Sequence, residues 1–130
     1  MTALVLDTTV LIDALRGRPA AARLRDLAAR REVLLTTAVN VEEIVRGLRP
    51  SEEPVADALF TAIRVLPVRE PDARRAGAWR REHAALGITL HQADCLIGAV
   101  TVGIGARLAT GNIEDFPMPQ LTVEEWPPGL

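Results

Sequence analysis

The fold of this chain is decided by residues 3–15, which read ALVLDTTVLIDAL. Ala3–Leu6 is a short apolar run, rich enough in branched residues for a buried strand. Thr8 to Arg16 then predicts a helix, which ends at Gly17. A carboxylate, Asp7, stands directly between the strand and the helix.

The same alternation continues along the rest of the chain. Further strands are predicted at Val33–Thr36, Val65–Val68 and Arg107–Thr110, with an edge strand at Leu121–Val123. Helices are predicted at Pro19–Arg31, Val41–Leu48, Ser51–Ile63, Pro71–Leu86 and His91–Ile104. Short buried strands that alternate with helices predict an α/β fold with a mainly parallel central sheet of four to five strands flanked by helices. We expect one domain over residues 1–130.

Composition excludes several classes of protein. Of the 130 residues 48% are hydrophobic, which excludes an intrinsically disordered chain. No stretch approaches the roughly 18 to 20 apolar residues of a membrane span, and the apolar start runs into Asp7, so we expect neither a secretory signal nor a membrane anchor. A single cysteine, Cys95, agrees with a reducing compartment, and we expect a cytoplasmic protein. All 15 basic residues are arginine, which excludes mechanisms that need a lysine, such as a Walker P-loop or a Schiff base.

Four acidic residues follow predicted strands or begin helices that follow them. They are Asp7, Glu43, Asp94 and Asp115. Ligands of parallel sheets bind beyond the carboxyl ends of the strands, so we expect these side chains to converge there. Like charges at such distances require a cation, and oxygen-only ligands favour Mg²⁺ or Mn²⁺. Zinc is disfavoured, because the only two histidines, His83 and His91, lack a ligand spacing.

Each of these acids also has a structural interpretation. Asp7 could cap the following helix, and Glu43 could complete a capping box that begins at Asn40. Glu42 is expected to pair with Arg46 at the i, i+4 spacing. The first-turn position would let the helix dipole stabilise Asp94, although its helix is apolar nearly all round.

Asp115, the fourth of these acids, and Asp13, which lies outside the set, differ in their sequence context. Asp115 lies in the polar loop Gly111–Phe116 and could be an ordinary turn residue. Asp13 stands six residues after Asp7 and has no strand before it. We therefore interpret Asp13 as a solvated surface residue.

Four segments, in this order, resemble the motifs of the PIN-domain family, specifically the VapC-type toxins of toxin–antitoxin pairs. The segments are Val5–Ile12, Thr36–Gly47 with Glu43 four residues before its glycine, Asp94–Ala99 and Thr110–Phe116. The likeness covers nearly the whole chain. It departs at Thr9, where the family more often has asparagine or serine, and at Gly98, where alanine is common.

The resemblance implies a Mg²⁺- or Mn²⁺-dependent endoribonuclease. Asp7 and Asp94 would be the main metal anchors, with Asp115 and Glu43 completing the catalytic site directly or through water. Thr9 and Asn112 would orient the carboxylates, and the family leaves open whether Asn112 or Asp115 contributes more directly. The resemblance also implies a VapB-like antitoxin partner and a homodimer or toxin–antitoxin hetero-oligomer. The alternative is a non-catalytic RNA-binding or regulatory PIN-like module.

The net charge of −2 is compatible with an RNA substrate. If four of the 17 acidic residues form the site, the other 13 acidic residues are outnumbered by the 15 arginines, so the rest of the protein carries a net positive charge. Arginine's forked donors suit phosphate contacts. Arg16, Arg46 and Arg49, near the ends of helices that begin at the site, are candidates for RNA binding.

Overall fold

The structure, a computed structural model, describes residues 3–129 and contains one parallel sheet of five strands. The strands are β1 (Ala3–Leu6), β2 (Val33–Thr37), β3 (Arg64–Leu66), β4 (Arg107–Thr110) and β5 (Val123–Glu125). Their order across the sheet is β3-β2-β1-β4-β5, and every neighbouring pair is parallel. The predicted α/β fold with a parallel central sheet is confirmed. The first and most apolar strand lies in the middle, where both of its faces are covered.

Within residues 3–129, six helices flank this sheet. They are α1 (Thr8–Leu15), α2 (Pro19–Ala29), α3 (Ala38–Gly47), α4 (Glu53–Ala62), α5 (Glu70–Ala85) and α6 (Gln92–Gly103). Short 3₁₀ turns occupy Pro50–Glu52 and Ile113–Asp115. Among the helices of residues 3–129, none combines the length and apolar character that a bilayer crossing requires.

The alternation of side chains along β1 divides the core in two. Val5 points into a cluster with residues of α5 and α6, including Trp79 and Ile97. Leu4 and Leu6 point into a second cluster with residues of α1 and α2. Since successive strand residues face opposite sides, four residues of β1 anchor both layers.

Two local interpretations from sequence are wrong. The N-cap of α3 is Thr37, whose hydroxyl accepts a hydrogen bond from the Asn40 backbone N–H; Asn40 is the third helical residue rather than the cap. Asp13 is 5% exposed rather than solvated, because its carboxylate is held between Arg18 and the backbone of Gly129. Both errors arise because helical periodicity does not reveal the hydrogen-bond partner that determines the role of each residue.

The last strand lies two residues later than the Leu121–Val123 predicted. Leu121 belongs to a turn, in which its N–H donates to the Met118 carbonyl, and its buried side chain joins the α5/α6 core cluster. Pairing with β4 then aligns Val123 with Leu108. Because Leu121 is buried in this turn, the strand begins only at Val123.

Candidate active site

Asp7 lies at the carboxyl end of the central strand and is 6% exposed. Both of its carboxylate oxygens accept hydrogen bonds: Oδ2 from the Thr110 hydroxyl at 2.6 Å and Oδ1 from the Asn40 side-chain amide at 3.2 Å. Burial raises the pKa of Asp7, and these hydrogen bonds oppose that rise. The carboxylate is therefore held in one orientation by groups from β4 and α3.

Glu43 is connected to Asp7 through a hydroxyl. The Thr8 Oγ1 donates to Glu43 Oε1 at 2.7 Å and itself accepts from Asn40 Nδ2 at 3.0 Å. The negative charge of Glu43 in turn contributes to the raised pKa of Asp7. Glu43 thus lies on the site side of α3, whereas its neighbour Glu42 forms the expected exposed pair with Arg46.

Asn40 organises both of these acids. Its side chain is completely buried, and its carbonyl oxygen accepts from the Thr37 hydroxyl at 2.7 Å and the Thr37 N–H at 3.3 Å. The amide group must therefore face the carboxylates as a donor. Sequence reasoning missed this role, although the i, i+3 spacing from Asn40 to Glu43 places both on one helix face.

Asp94 lies in the first turn of α6 and is electrostatically coupled to the other three acids. Its pKa is raised to about 6, chiefly by burial and then by the negative charges of Asp115, Asp7 and Glu43, while His91 opposes the shift. Among residues 3–129, no hydrogen-bond donor satisfies its carboxylate. The strands therefore bring the four sequence-predicted acids into one electrostatic cluster, in which burial and like charges disfavour the ionised form of Asp94.

Asp115 and Asn112 lie in the loop after β4. Both are exposed, and together with Gly111, Ile113, Glu114 and Glu125 they line a cleft of about 600 Å³. The Asn112 N–H donates to Thr110 Oγ1 at 3.1 Å. The Thr9 hydroxyl accepts from the Gly111 N–H at 2.8 Å, so its observed contact is with this loop rather than with a carboxylate. Of the two adjacent threonines, Thr8 is the one that touches an acid.

The three arginines considered for RNA binding are exposed: Arg16 directly follows α1, Arg46 lies near the end of α3, and Arg49 lies in the segment after α3. Arg16 lies 3.6 Å from Glu52, and Arg46 lies 3.4 Å from Glu42. The Arg49 backbone N–H donates to Glu52 at 3.0 Å. Their role in RNA binding stays a prediction. Arg16 and Arg46 already form ion pairs with Glu52 and Glu42.

Within residues 3–129, no three histidine, cysteine, aspartate or glutamate side chains are arranged to hold a metal ion by themselves. The cluster nevertheless has the chemistry of a hard-cation site. Its donors are carboxylate oxygens, and a nearby cation would stabilise the ionised form of Asp94, which burial and the neighbouring acids disfavour. Mg²⁺ is commonly held by one or two carboxylates and keeps several waters, so such a site does not require a complete protein cage.

Comparison with known proteins identifies relatives over most of the chain. The model of the PIN domain family matches residues 4–117. Ribonuclease VapC19 from Mycobacterium tuberculosis is 34% identical over 115 residues, which cover 88% of this chain and 92% of that protein. Ribonuclease VapC10 from the same species is 36% identical over 122 residues, covering 88% and 86% respectively.

Solved structures share the fold. VapBC2 from Rickettsia felis, bound to a DNA fragment from its promoter, gives a TM-score of 0.84 at 20% identity, covering 96% of this chain and 99% of that chain. DNA-bound VapBC from Salmonella typhimurium gives 0.83 at 23% identity, covering 97% and 99%. The motifs, the parallel sheet and these relatives agree: the chain belongs to the PIN-domain family and is of its VapC type.

Proposed function

We propose that this protein is a Mg²⁺- or Mn²⁺-dependent endoribonuclease that acts as the toxin of a toxin–antitoxin pair. The observation that carries the proposal is the electrostatic coupling of Asp94 to Asp7, Glu43 and Asp115. Relatives named as ribonucleases support the reaction class. A protein that only bound RNA would gain nothing from four carboxylates placed together, because they repel phosphate.

Asp7 and Asp94 are the proposed main anchors of the metal, with Asp115 and Glu43 completing the shell directly or through water. Bound divalent metal would lower the pKa of a water molecule and neutralise charge that develops on the phosphate. It would also offset the repulsion that, after burial, contributes to the raised pKa of Asp94.

The remaining polar groups position these acids. Asn40 and Thr110 hold Asp7, and Thr8 holds Glu43 on Oε1, leaving its second oxygen as the proposed acceptor of the water's proton. Thr9 and Asn112 stay proposed supports of the site through the loop after β4. Hydrogen-bonded supports of this kind commonly change metal affinity or activity by about 10- to 100-fold when removed.

Removal of divalent metal should abolish RNA cleavage. We expect the purified protein to cut a structured RNA in Mg²⁺ or Mn²⁺, and EDTA to lower the initial rate by about 100-fold or more, reversibly on re-addition of Mn²⁺. The measurement is the appearance of RNA fragments with time, with mapped 5′ ends. Cleavage that persists in full in EDTA contradicts the metal mechanism. RNA binding without cleavage, together with no Mn²⁺ uptake by calorimetry, supports the non-catalytic module instead.

We propose that the protein partner is a VapB-like antitoxin. The proposed assembly is either a homodimer of the toxin or a toxin–antitoxin hetero-oligomer, and the proposed location is the cytoplasm. Structural neighbours are VapBC complexes. The chain also has an apolar groove of about 320 Å³ between α1, α2 and α4, lined by Ala14, Ala21, Leu24, Arg25, Ala28, Leu34, Val55, Ala58, Leu59, Ala62 and Ile63. Such a groove suits the apolar face of a partner helix.

A charge placed in this groove should block inhibition without affecting cleavage. We expect Ala58→Arg to weaken inhibition by the cognate antitoxin about 10-fold or more, because the guanidinium disrupts an apolar contact surface. The matched control is Ala73→Arg, at an exposed alanine of α5. The readout is RNA cleavage as a function of antitoxin concentration. Equal inhibition of both variants would place the antitoxin elsewhere.

A further inference from the structure

The C-terminal strap, residues 126–129, is fastened to α1 by a buried carboxylate. Asp13 Oδ2 accepts from the Gly129 N–H at 2.8 Å, and Oδ1 accepts from Arg18 Nη1 at 2.6 Å. Asp13 is 5% exposed and lies outside the acidic cluster of the site. A buried charge is costly unless it is paired and hydrogen-bonded, and here part of its compensation comes from the strap.

The strap passes directly over Gly111. A Cβ atom built on Gly111 would lie 2.9 Å from Pro128 Cγ and 3.2 Å from the Trp126 carbonyl oxygen, so the strap occupies the space that any other side chain would need. The Trp126 N–H also donates to the Thr110 carbonyl at 2.8 Å. The strap is therefore in contact with the backbone at the start of the site loop, which we define as residues 110–115.

The site loop connects this contact to the proposed chemistry. Its first residue, Thr110, donates to Asp7, and its last residue, Asp115, contributes to the raised pKa of Asp94. On its other side the loop is held by Thr9, which accepts from the Gly111 N–H. The backbone at Gly111 is thus clamped between α1 and the strap.

Trp126 provides a second fastening. Its side chain is 4% exposed, and the Arg23 guanidinium lies 3.8 Å from the ring centroid. Glu124 Oε1 accepts from both the Trp126 indole N–H at 3.0 Å and Arg23 at 2.9 Å. This anchor ties the beginning of the strap to α2, whereas Asp13 ties its end to α1.

We propose that Asp13 is a positioning residue of the site: it fastens the C-terminal strap over Gly111 and so holds the site loop that carries Asn112 and Asp115. Its relevance to RNA cleavage rests on the function proposed above. The positioning itself does not, because it concerns contacts within the chain alone.

The test compares Asp13→Ala with Asp13→Asn in the metal-free protein. Asparagine keeps an oxygen that accepts from Gly129, whereas alanine removes it. We expect Asp13→Ala to speed hydrogen exchange at the Gly111 and Asn112 amides by about 10-fold or more, and Asp13→Asn by about threefold or less. In the cleavage assay Asp13→Ala should lower kcat by about 10- to 100-fold with little change in KM, and Asp13→Asn should restore it.

Asp72→Ala is the matched control, because Asp72 is another buried aspartate outside the acidic cluster and accepts from a backbone N–H, that of Arg69 at 2.9 Å. We expect it to lower stability without speeding exchange in the site loop. The proposal is overturned if Asp13→Ala leaves loop exchange as in the wild type, or if Asp72→Ala speeds it equally.

Should Asp13→Ala not fold, Pro128→Ala at an exposed position must speed exchange at Gly111, and unchanged exchange overturns the proposal. A wild type that cuts no RNA contradicts the proposed function, while the exchange measurement still decides the role of Asp13.

Discussion

Replacement of Asp94 by asparagine is expected to reduce RNA cleavage by about 100- to 1,000-fold, the range seen when one preorganised electrostatic group is removed. Asparagine retains the shape of the side chain but removes the charge that the proposed metal would neutralise. The pKa of Asp94 is raised to about 6, chiefly by burial and then by the negative charges of Asp115, Asp7 and Glu43, so its ionised form is opposed by the whole cluster. The measurement is the initial rate of RNA cleavage at saturating Mn²⁺, together with Mn²⁺ affinity by calorimetry.

The same variant should be more stable than the wild type in EDTA at pH 7.5. The folded protein raises the pKa of Asp94 from 3.8 to about 6, so between these values the native state binds more protons than the unfolded state. The free energy of unfolding therefore falls as the pH rises through this window, and the ionised carboxylate stays unfavourable above it. We expect the melting temperature of the variant to exceed that of the wild type at pH 7.5 and to approach it near pH 4.

The control for both measurements is Asp57→Asn, at an exposed aspartate of α4. It should alter neither cleavage nor the pH dependence of stability. An Asp94→Asn variant that cleaves RNA at the wild-type rate removes Asp94 from the site. A variant that is less stable than the wild type in EDTA shows that the carboxylate is favourably solvated and that repulsion within the cluster is small.

Replacement of Asn40 by alanine is expected to lower both stability and activity. The side chain is fully buried and its loss leaves the Thr37 N–H and hydroxyl without their acceptor, and Asp7 without one donor. Unsatisfied polar groups and the cavity together should lower the free energy of unfolding by about 2–4 kcal/mol. Misorientation of Asp7 and Thr8 should lower cleavage by about 10- to 100-fold. Denaturant unfolding and cleavage rates measure the two effects.

Asn40→Asp separates the two roles of this side chain. Aspartate still accepts from Thr37, so the start of α3 keeps its contacts, but it replaces the donors that face Asp7 and Thr8 by an acceptor. We expect cleavage to fall as in Asn40→Ala. Wild-type cleavage by Asn40→Asp would mean that the amide donors are not needed. Asn112→Ala, the same chemical change as Asn40→Ala at an exposed asparagine, should change stability by less than about 0.5 kcal/mol.

Local patterns in the sequence predict most of the elements of this fold. β4 has the bounds predicted, Arg107–Thr110, and α2 begins at the predicted Pro19. Both signals are local, since the period of apolar residues and the fixed φ of proline act over a few positions. Errors occur where a distant contact decides the outcome, as at β5, whose start depends on the burial of Leu121 in the core.

The acids were found for a similar reason. Each follows a strand or begins a helix after one, and in a parallel sheet the carboxyl ends of all strands meet at one edge. The electrostatic coupling of Asp94 to the other three acids follows from that topology. Thr9 and Asn112 were predicted to orient the carboxylates, whereas the hydroxyl that donates to Glu43 is that of Thr8. Thr8 and Thr9 are adjacent and chemically identical, so only packing decides which one faces Glu43.

The sequence by itself thus determined the types of the elements, the parallel sheet and the edge at which the four acids meet, because these depend on periodicity and on the direction of strands. Tertiary structure alone decided the strand order, the orientation of Asn40 and the burial of Asp13. Thr110 reaches Asp7 across 103 positions and Gly129 reaches Asp13 across 116, distances over which no local pattern carries information. Such contacts exist only once the helices and strands have packed.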